Sequence, residues 1–264
     1  MTIVFLHGFL GSQLDLQPIA KPLQNSMETL CLDLPGHGQA IDLPTESYSF
    51  LGAANFVLEK TQHLPKPALY GYSMGGRLAL YLGLTHPDRF SHLFLESTSP
   101  GLPTKADRAD RRTQDAKLAT ELQHNFPAFL KSWYNTELFK TLRDHPSFPE
   151  LLDRRHTNHP TELAKALQGM GTGAQPTLWE KLKVVPIPID LLVGTQDWKF
   201  LTLNQHMARI APNARLHMIP GVGHNIHVEC PERIDRILHS RLELRASEIH
   251  VPPELGFGGR NVSQ

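Results

Sequence analysis

The segment GYSMGGR, residues 71–77, carries a G-x-S-x-G motif that constrains the fold more than any other feature of the chain. An apolar run that ends at Tyr70 precedes the motif, and a second apolar stretch from Leu78 to Leu82 follows it. This order predicts a strand, a tight turn that carries Ser73, and a helix. Such a unit is typical of a parallel sheet that is covered by helices.

The same alternation of strand and helix patterns continues along the chain. Short apolar runs that predict strands lie at Thr2–Leu6, Glu28–Asp33, Ala68–Tyr70, His92–Glu96, Ile187–Val193 and Ala214–Ile219. Helical patterns lie at Asp15–Leu23, Ser49–Thr61, Met74–Leu84 and Pro231–Leu244. The alternation indicates βαβ crossovers, and therefore a mostly parallel central sheet flanked by helices.

Between residues 105 and 182 the pattern changes to amphipathic, charge-rich stretches without strand character. We therefore expect a core of residues 1–103 and 183–244, with a helical cap of residues 104–182 inserted into it. Residues 245–264 contain prolines and glycines without periodicity, and we expect a loosely ordered tail. Arg241, on the final helix, is predicted to face solvent.

Composition indicates which binding partners and which cellular compartment to expect. The 26 basic residues balance the 26 acidic ones, so nothing indicates a nucleic-acid-binding protein. Two cysteines, Cys31 and Cys230, are too few for a disulfide framework and fit a reducing compartment. The apolar start, Met1 to Leu6, is too short for a signal sequence or a membrane span. We expect a cytoplasmic protein without membrane insertion, and the sequence does not indicate its oligomeric state.

A serine on such a turn needs a histidine that takes its proton and a carboxylate that orients the histidine. Asp197 and His224 each follow a predicted strand, in the order Ser, Asp, His that this type of sheet uses. The predicted catalytic residues are therefore Ser73, Asp197 and His224. His227 is the alternative histidine, and Glu96, at another strand end, is the alternative acid.

Two further expectations concern charge near Ser73. An oxyanion needs two backbone N–H donors, and we predict those of Met74 and of Phe9 in the loop after the first strand. His7 is expected to brace that loop. Arg77 follows in the first turn of a helix, where a cation opposes the helix dipole. An anionic ligand is therefore expected beside Arg77.

Several motifs together resemble known proteins. "FLHGF", "DLPGHG", "GYSMGG" and the Asp and His endings resemble the α/β-hydrolase superfamily over most of the chain. "GYSMGGR", "PGLP", "WY", "DWKF" and "GHNIHVECP", in this order, resemble one family within it, the 2-succinyl-6-hydroxy-2,4-cyclohexadiene-1-carboxylate synthases of menaquinone biosynthesis. The resemblance implies an α/β-hydrolase fold with a helical cap.

The resemblance also implies a reaction. The family removes pyruvate from 2-succinyl-5-enolpyruvyl-6-hydroxy-3-cyclohexene-1-carboxylate, a small molecule with three carboxylates, by elimination without hydrolysis. It implies that His224, oriented by Asp197, deprotonates Ser73, and that Ser73 then removes a ring proton as a base without forming an acyl-enzyme. Neither a metal nor an organic cofactor is expected.

Arginine pairs bidentately with carboxylates, which suits a tricarboxylate substrate. The substrate-binding positions that the resemblance implies are Arg77, Arg111, Arg155, Tyr72, Trp133 and Lys199. From the residues alone, Arg108 or Arg112 could replace Arg111, and Arg154 could replace Arg155.

Two other functions remain open at the level of sequence. A carboxylesterase or thioesterase would use the same triad, since a fold does not determine a reaction. A non-catalytic binding protein on this scaffold is less favoured, because a receptor has no need for a complete proton relay.

Overall fold

The computed structural model describes residues 1–248, with side chains described as far as Leu242. Six strands form one sheet in the order β2-β1-β3-β4-β5-β6, and all neighbouring strands are parallel. The strands are β1 (Thr2–Leu6), β2 (Glu28–Leu32), β3 (Ala68–Tyr72), β4 (Leu93–Glu96), β5 (Ile189–Gly194) and β6 (Ala214–Ile219). The predicted parallel sheet is confirmed.

Small differences from the predicted strands have local causes. Strand β5 begins at Ile189, two residues later than predicted. The preceding Pro188 has no N–H to donate to a ladder, so pairing through that residue is restricted. Strand β3 continues to Tyr72, directly before Ser73, so the turn begins without an intervening loop.

Helices cover both faces of the sheet. In chain order they are α1 (Gln13–Leu23), α2 (Phe50–Lys60), α3 (Met74–Thr85), α4 (Lys105–His124), α5 (Phe126–Tyr134), α6 (Lys140–Arg143), α7 (Phe148–His156), α8 (Pro160–Met170), α9 (Trp179–Leu182), α10 (Trp198–Ile210), α11 (Ile226–Glu229) and α12 (Pro231–Glu248). Short 3-10 helices lie at Thr45–Tyr48, Pro87–Arg89 and Glu137–Phe139. Apolar side chains of α1 and α12 pack on one face, and those of α2, α3 and α10 pack on the other.

Helices α4 to α9 all lie between β4 and β5, where the sequence predicts a cap. Five of them contribute to a separate hydrophobic cluster, which includes Leu122, Leu130, Leu142, Leu151 and Leu163. Leu10, from the loop after β1, belongs to the same cluster and joins the helical insertion to the sheet. The division of the chain into a core and a cap stays a prediction.

The C-terminal helix differs from expectation in two respects. It continues to Glu248 rather than ending near Leu244, and the rest of the predicted tail lies outside the described residues. Arg241 does not face solvent freely, because its side chain is 19% exposed and its Nε donates to the buried Asp190 carboxylate at 2.9 and 3.1 Å. A buried carboxylate needs a cation, and α12 provides one here.

Among residues 1–248 there is no helix with the length and hydropathy that a membrane span requires.

Candidate active site

Ser73 lies on a strained turn between β3 and α3. Its backbone has φ 49° and ψ −104°, which a non-glycine residue rarely adopts. The two flanking glycines allow the chain to pass so tightly: a Cβ on Gly71 would lie 2.6 Å from the Gly75 carbonyl oxygen, and one on Gly75 would lie 2.2 Å from that of Leu6. The G-x-S-x-G spacing therefore reflects the close contact of β3, α3 and the end of β1.

The three predicted catalytic side chains lie together. His224 Nε2 is 3.2 Å from Ser73 Oγ, and His224 Nδ1 is 2.6 Å from Asp197 Oδ2. Asp197 follows β5 and caps α10, accepting the Phe200 N–H at 3.3 Å. The Asp197 carboxylate favours the tautomer in which Nδ1 carries the proton, which leaves Nε2 free to accept the serine proton.

The alternative acid and the alternative histidine pair with each other. The Glu96 carboxylate accepts the His227 backbone N–H at 3.1 Å and lies 2.9 Å from His227 Nδ1. Tyr70 also donates its hydroxyl to Glu96. All three side chains are buried. The geometry thus joins Ser73 to His224 and Asp197, and places Glu96 and His227 in a second, separate pair.

The two predicted amide donors lie beside Ser73. Phe9 and Met74 both line the cavity that contains Ser73, and the backbone N–H of neither makes a hydrogen bond within residues 1–248. The loop that carries Phe9 is fixed by His7, whose Nε2 accepts the Leu34 N–H at 2.9 Å. Two free N–H groups at this position can stabilise a developing oxyanion.

The cavity over Ser73 has a volume of about 320 Å³. Apolar side chains of the helical insertion, among them Leu167 and Met170 of α8, form most of its wall, and Trp133, Lys199 and Phe200 contribute to it. The predicted residues that line it are Phe9, Ser73, Met74, Arg77, Arg111, Trp133, Lys199 and His224.

Arg77 is the unusual charge in this cavity. Its side chain is 9% exposed, it has no ion pair within residues 1–248, and its Nη1 atom makes no hydrogen bond there. Burial, together with repulsion from Arg111, lowers the pKa of Arg77 to about 10, although Asp115 acts in the opposite direction. A buried cation without a directly bonded anion is costly, so this position is suited to an anionic ligand.

The neighbouring arginines of α4 make different contacts. Arg111 lines the cavity, and its Nε binds Asp115 at 2.7 Å. Arg108 instead donates to the Leu102 carbonyl at 2.9 Å, and Arg112 donates to that of Gly173 at 3.0 Å. Arg111 is therefore the α4 arginine whose position fits a ligand in the cavity.

Arg155 lies outside the cavity lining and already has an anionic partner. It is 4% exposed, binds Asp15 at 2.7 Å, and donates its Nε to the Tyr134 hydroxyl at 3.0 Å. Burial alone would lower the pKa of Arg155, but Tyr134 and Asp15 outweigh burial and raise it. The neighbouring Arg154 is more exposed, binds Glu150 at 2.8 Å and lies 3.4 Å from Asp15. That Arg155 binds substrate stays a prediction. To do so, Arg155 would have to release Asp15 and bind a substrate carboxylate in its place.

Tyr72 also lies beneath the cavity rather than in its lining. Its ring is 4.5 Å from the ring of His227 and 5.4 Å from that of His224. A Cβ on Gly8 would lie only 2.5 Å from the Tyr72 ring, so this glycine lets the loop pass over it. Tyr72 thus supports both the loop and the catalytic histidine from below.

Among the cavity residues that sequence reasoning missed, two contact the catalytic histidine. Ser97 follows β4 and donates its hydroxyl to the His224 carbonyl at 3.0 Å. The Phe200 ring lies 4.6 Å from that of His224. Phe200 follows Asp197 by three residues at the start of a helix, a spacing that places both side chains on the same face of the helix and could have indicated Phe200. Ser97 carries no comparable signal. Among the described residues, no cluster of three or more His, Cys, Asp or Glu side chains could hold a metal ion.

Comparisons with known proteins agree with the fold. The family model of the alpha/beta hydrolase fold matches residues 2–231. A Bacillus subtilis (strain 168) protein named as a candidate 2-succinyl-6-hydroxy-2,4-cyclohexadiene-1-carboxylate synthase is 36% identical over 244 residues, covering 89% of this chain and 88% of its own. The synthase of that name from Pectobacterium atrosepticum is 32% identical, covering 87% and 88%.

Solved structures show the same relationship. MenH from S. aureus superposes with a TM-score of 0.89 at 31% identity, covering 93% of this chain and 94% of its own. An esterase from Thermogutta terrifontis, at 24% identity and a TM-score of 0.80, shares the fold. The chain therefore belongs to the α/β-hydrolase fold family and, within it, to the family of the 2-succinyl-6-hydroxy-2,4-cyclohexadiene-1-carboxylate synthases.

Proposed function

We propose that this protein is a 2-succinyl-6-hydroxy-2,4-cyclohexadiene-1-carboxylate synthase of menaquinone biosynthesis, a lyase that eliminates pyruvate from 2-succinyl-5-enolpyruvyl-6-hydroxy-3-cyclohexene-1-carboxylate. Family membership supports this activity. The observation that carries the proposal is the buried and unpaired Arg77 in the Ser73 cavity. A simple neutral ester would leave this cation without a partner, whereas a substrate carboxylate provides one.

The charges in the cavity match an anionic substrate with several carboxylates. Arg77, Arg111 and Lys199 line it together, and Asp115 neutralises part of the charge of Arg111. Three cations thus face a substrate with three carboxylates, and we propose that Lys199 serves the carboxylate that the family resemblance assigns to Arg155. Trp133 closes one side of the cavity with an aromatic surface.

The arrangement supports proton abstraction followed by elimination. In the proposed reaction His224 takes the proton of Ser73, and Asp197 stabilises the resulting imidazolium. The Ser73 alkoxide then removes the ring proton beside the succinyl ketone, and the backbone N–H groups of Phe9 and Met74 stabilise the enolate oxygen. The electron pair moves through the ring and breaks the bond to the enolpyruvyl oxygen, so that enolpyruvate leaves and becomes pyruvate. No bond forms between Ser73 and the substrate.

A direct assay tests the proposal. Purified protein is mixed with the enolpyruvyl substrate, and pyruvate is followed by coupling to a lactate dehydrogenase, beside a panel of neutral and anionic esters. We expect pyruvate release from wild type, loss of release in Ser73→Ala, and no covalent adduct on Ser73 by mass spectrometry during turnover. Ester hydrolysis without pyruvate release, or an acyl-serine from a physiological substrate, would establish the esterase instead.

We also propose a cytoplasmic location. The two cysteines, Cys31 and Cys230, are both free thiols, which supports a reducing compartment. Burial raises the pKa of Cys31 to about 12, so this thiol is poorly suited to oxidation.

A further inference from the structure

The end of β4 contacts both halves of the catalytic pair. The Glu96 carbonyl accepts the backbone N–H of Ser73 at 2.9 Å. The next residue, Ser97, donates its hydroxyl to the carbonyl of His224 at 3.0 Å. Two consecutive residues thus hold the backbone of the serine, in the turn after β3, and the backbone of the histidine, in the loop after β6.

Glu96 also fixes the chain at a second point, after His224. The Glu96 carboxylate binds both the backbone N–H and the Nδ1 atom of His227, three residues after His224. Tyr70, from β3, donates to the same carboxylate. The chain is therefore held by Ser97 at His224 and by Glu96 at His227, at the start of α11.

Ser97 adopts a backbone conformation that requires an explanation. Its φ is 48°, in the left-handed region, although it is not a glycine. A non-glycine residue in this region costs free energy and persists only where its surroundings enforce it, which is most often at functional sites. Its side chain is buried and lines the cavity, so the strain lies within the site itself.

We propose that Ser97 is a positioning residue that, together with Glu96, fixes His224 relative to Ser73. The left-handed backbone aims the Ser97 hydroxyl at the His224 carbonyl, and the adjacent Glu96 carbonyl holds Ser73 in register. The separation of 3.2 Å between His224 Nε2 and Ser73 Oγ is at the long end of a hydrogen bond, so a small movement of the loop breaks the contact. This role rests on the proposed proton transfer from Ser73 to His224.

The test compares two Ser97 variants with one matched control. Ser97→Ala removes the hydroxyl, and Ser97→Gly removes the hydroxyl and also relieves the backbone strain. Thr61→Val is the control, because Thr61 is equally buried and its hydroxyl donates to the Val57 carbonyl at 2.8 Å, outside the residues that line the cavity. All three variants lose one buried hydroxyl-to-carbonyl bond, and only the Ser97 variants lose it at His224.

Two rates are measured in each variant. The first is pyruvate release, where we expect kcat to fall about 10- to 100-fold in both Ser97 variants with KM unchanged, because misplacement of a catalytic group affects the reaction rather than binding. The second is labelling of Ser73 by phenylmethylsulfonyl fluoride, followed by mass spectrometry. In that reaction the serine oxygen bonds to sulfur, fluoride leaves, and His224 takes the proton, so labelling needs the Ser73–His224 pair but not the natural substrate.

The two rates separate the two proposals. Absence of pyruvate release from wild type contradicts the proposed function, and the labelling rates or a crystal structure of Ser97→Ala then decide the role of Ser97. We expect that structure to show the Nε2–Oγ separation increased beyond 3.5 Å. Ser97 variants that match Thr61→Val in their rates, or that retain the separation of wild type, would overturn the positioning role. A Ser97→Gly variant that is as active as wild type would do so most directly.

Discussion

The ion pair between Arg155 and Asp15 gives a prediction that separates stability from substrate binding. Arg155, on α7 of the helical insertion, and Asp15, on α1, are both almost fully buried. Burial alone would raise the pKa of Asp15, but Arg155 outweighs burial and lowers it from 3.8 to about 2. A difference of about 1.8 units corresponds to roughly 2.5 kcal/mol of stability at neutral pH.

Arg155→Met keeps the aliphatic volume and removes the charge. The variant leaves Asp15 buried without its main cation, and breaking a buried pair typically costs about 3–5 kcal/mol. We therefore expect a loss of about 3 kcal/mol in the free energy of unfolding, measured by urea denaturation at pH 7. The loss should shrink as the pH falls from about 4 towards 2, because the stabilisation from a depressed carboxyl pKa is present above the unfolded value and disappears as the carboxyl is protonated.

Two further variants serve as controls. Arg154→Met should cost less than about 1 kcal/mol, since Arg154 is 31% exposed, its closest partner, Glu150, is exposed, and its contact with Asp15 is long at 3.4 Å. The double variant Arg155→Met with Asp15→Asn should recover part of the loss, because it removes the unpaired charge. A loss below about 1 kcal/mol in Arg155→Met would refute the reasoning. A large fall in kcat/KM with unchanged stability would show instead that Arg155 binds a substrate carboxylate.

Three other predictions follow from contacts in the structure. Arg77→Met should lower kcat/KM for pyruvate release about 10- to 150-fold, since a hydrogen bond to a charged group contributes about 1.5–3 kcal/mol. Arg209→Met, at an exposed arginine of α10, is the control and should have no effect in the same assay. Ser73→Ala should lower kcat by at least about 10³-fold while its circular dichroism spectrum and unfolding free energy stay near those of wild type. Asp190→Asn should lower the unfolding free energy by about 2 kcal/mol or more at pH 7 in urea denaturation, because Arg241, His92 and His217 would all lose the carboxylate that they contact. An unchanged value would contradict the role of this carboxylate in holding α12 on the sheet.

The parts of the site that sequence reasoning predicts are those determined by local chain geometry. Ser73, Asp197 and His224 each directly follow or closely follow a strand, and the carboxyl ends of parallel strands meet at one edge of a sheet. Alternation of strand and helix is similarly local, which is why all six strands are found near their predicted positions.

The parts that sequence reasoning could not predict depend on partners distant in the chain. The family resemblance places Arg155 among the residues that bind substrate carboxylates. Only the structure reveals that Arg155, on α7, has Asp15, on α1, as its partner. Glu96 and His227 are each reasonable triad members by position, and only the structure shows that they bind each other. The prediction that Arg241 faces solvent is wrong because its partner, the buried Asp190 of β5, is 51 residues away in the chain and only the fold brings the two together.

The unpaired Arg77 has a consequence for the protein before any reaction occurs. A buried charge without a directly bonded anion lowers the stability of the empty protein, and any anion that fills the cavity offsets this cost. Thermal-shift screening with small dicarboxylates should therefore detect ligands of this cavity, and Arg77→Met should remove most of the response. In a cell, degradation acts on the unfolded fraction, so the lifetime of the protein should increase with the supply of its own substrate.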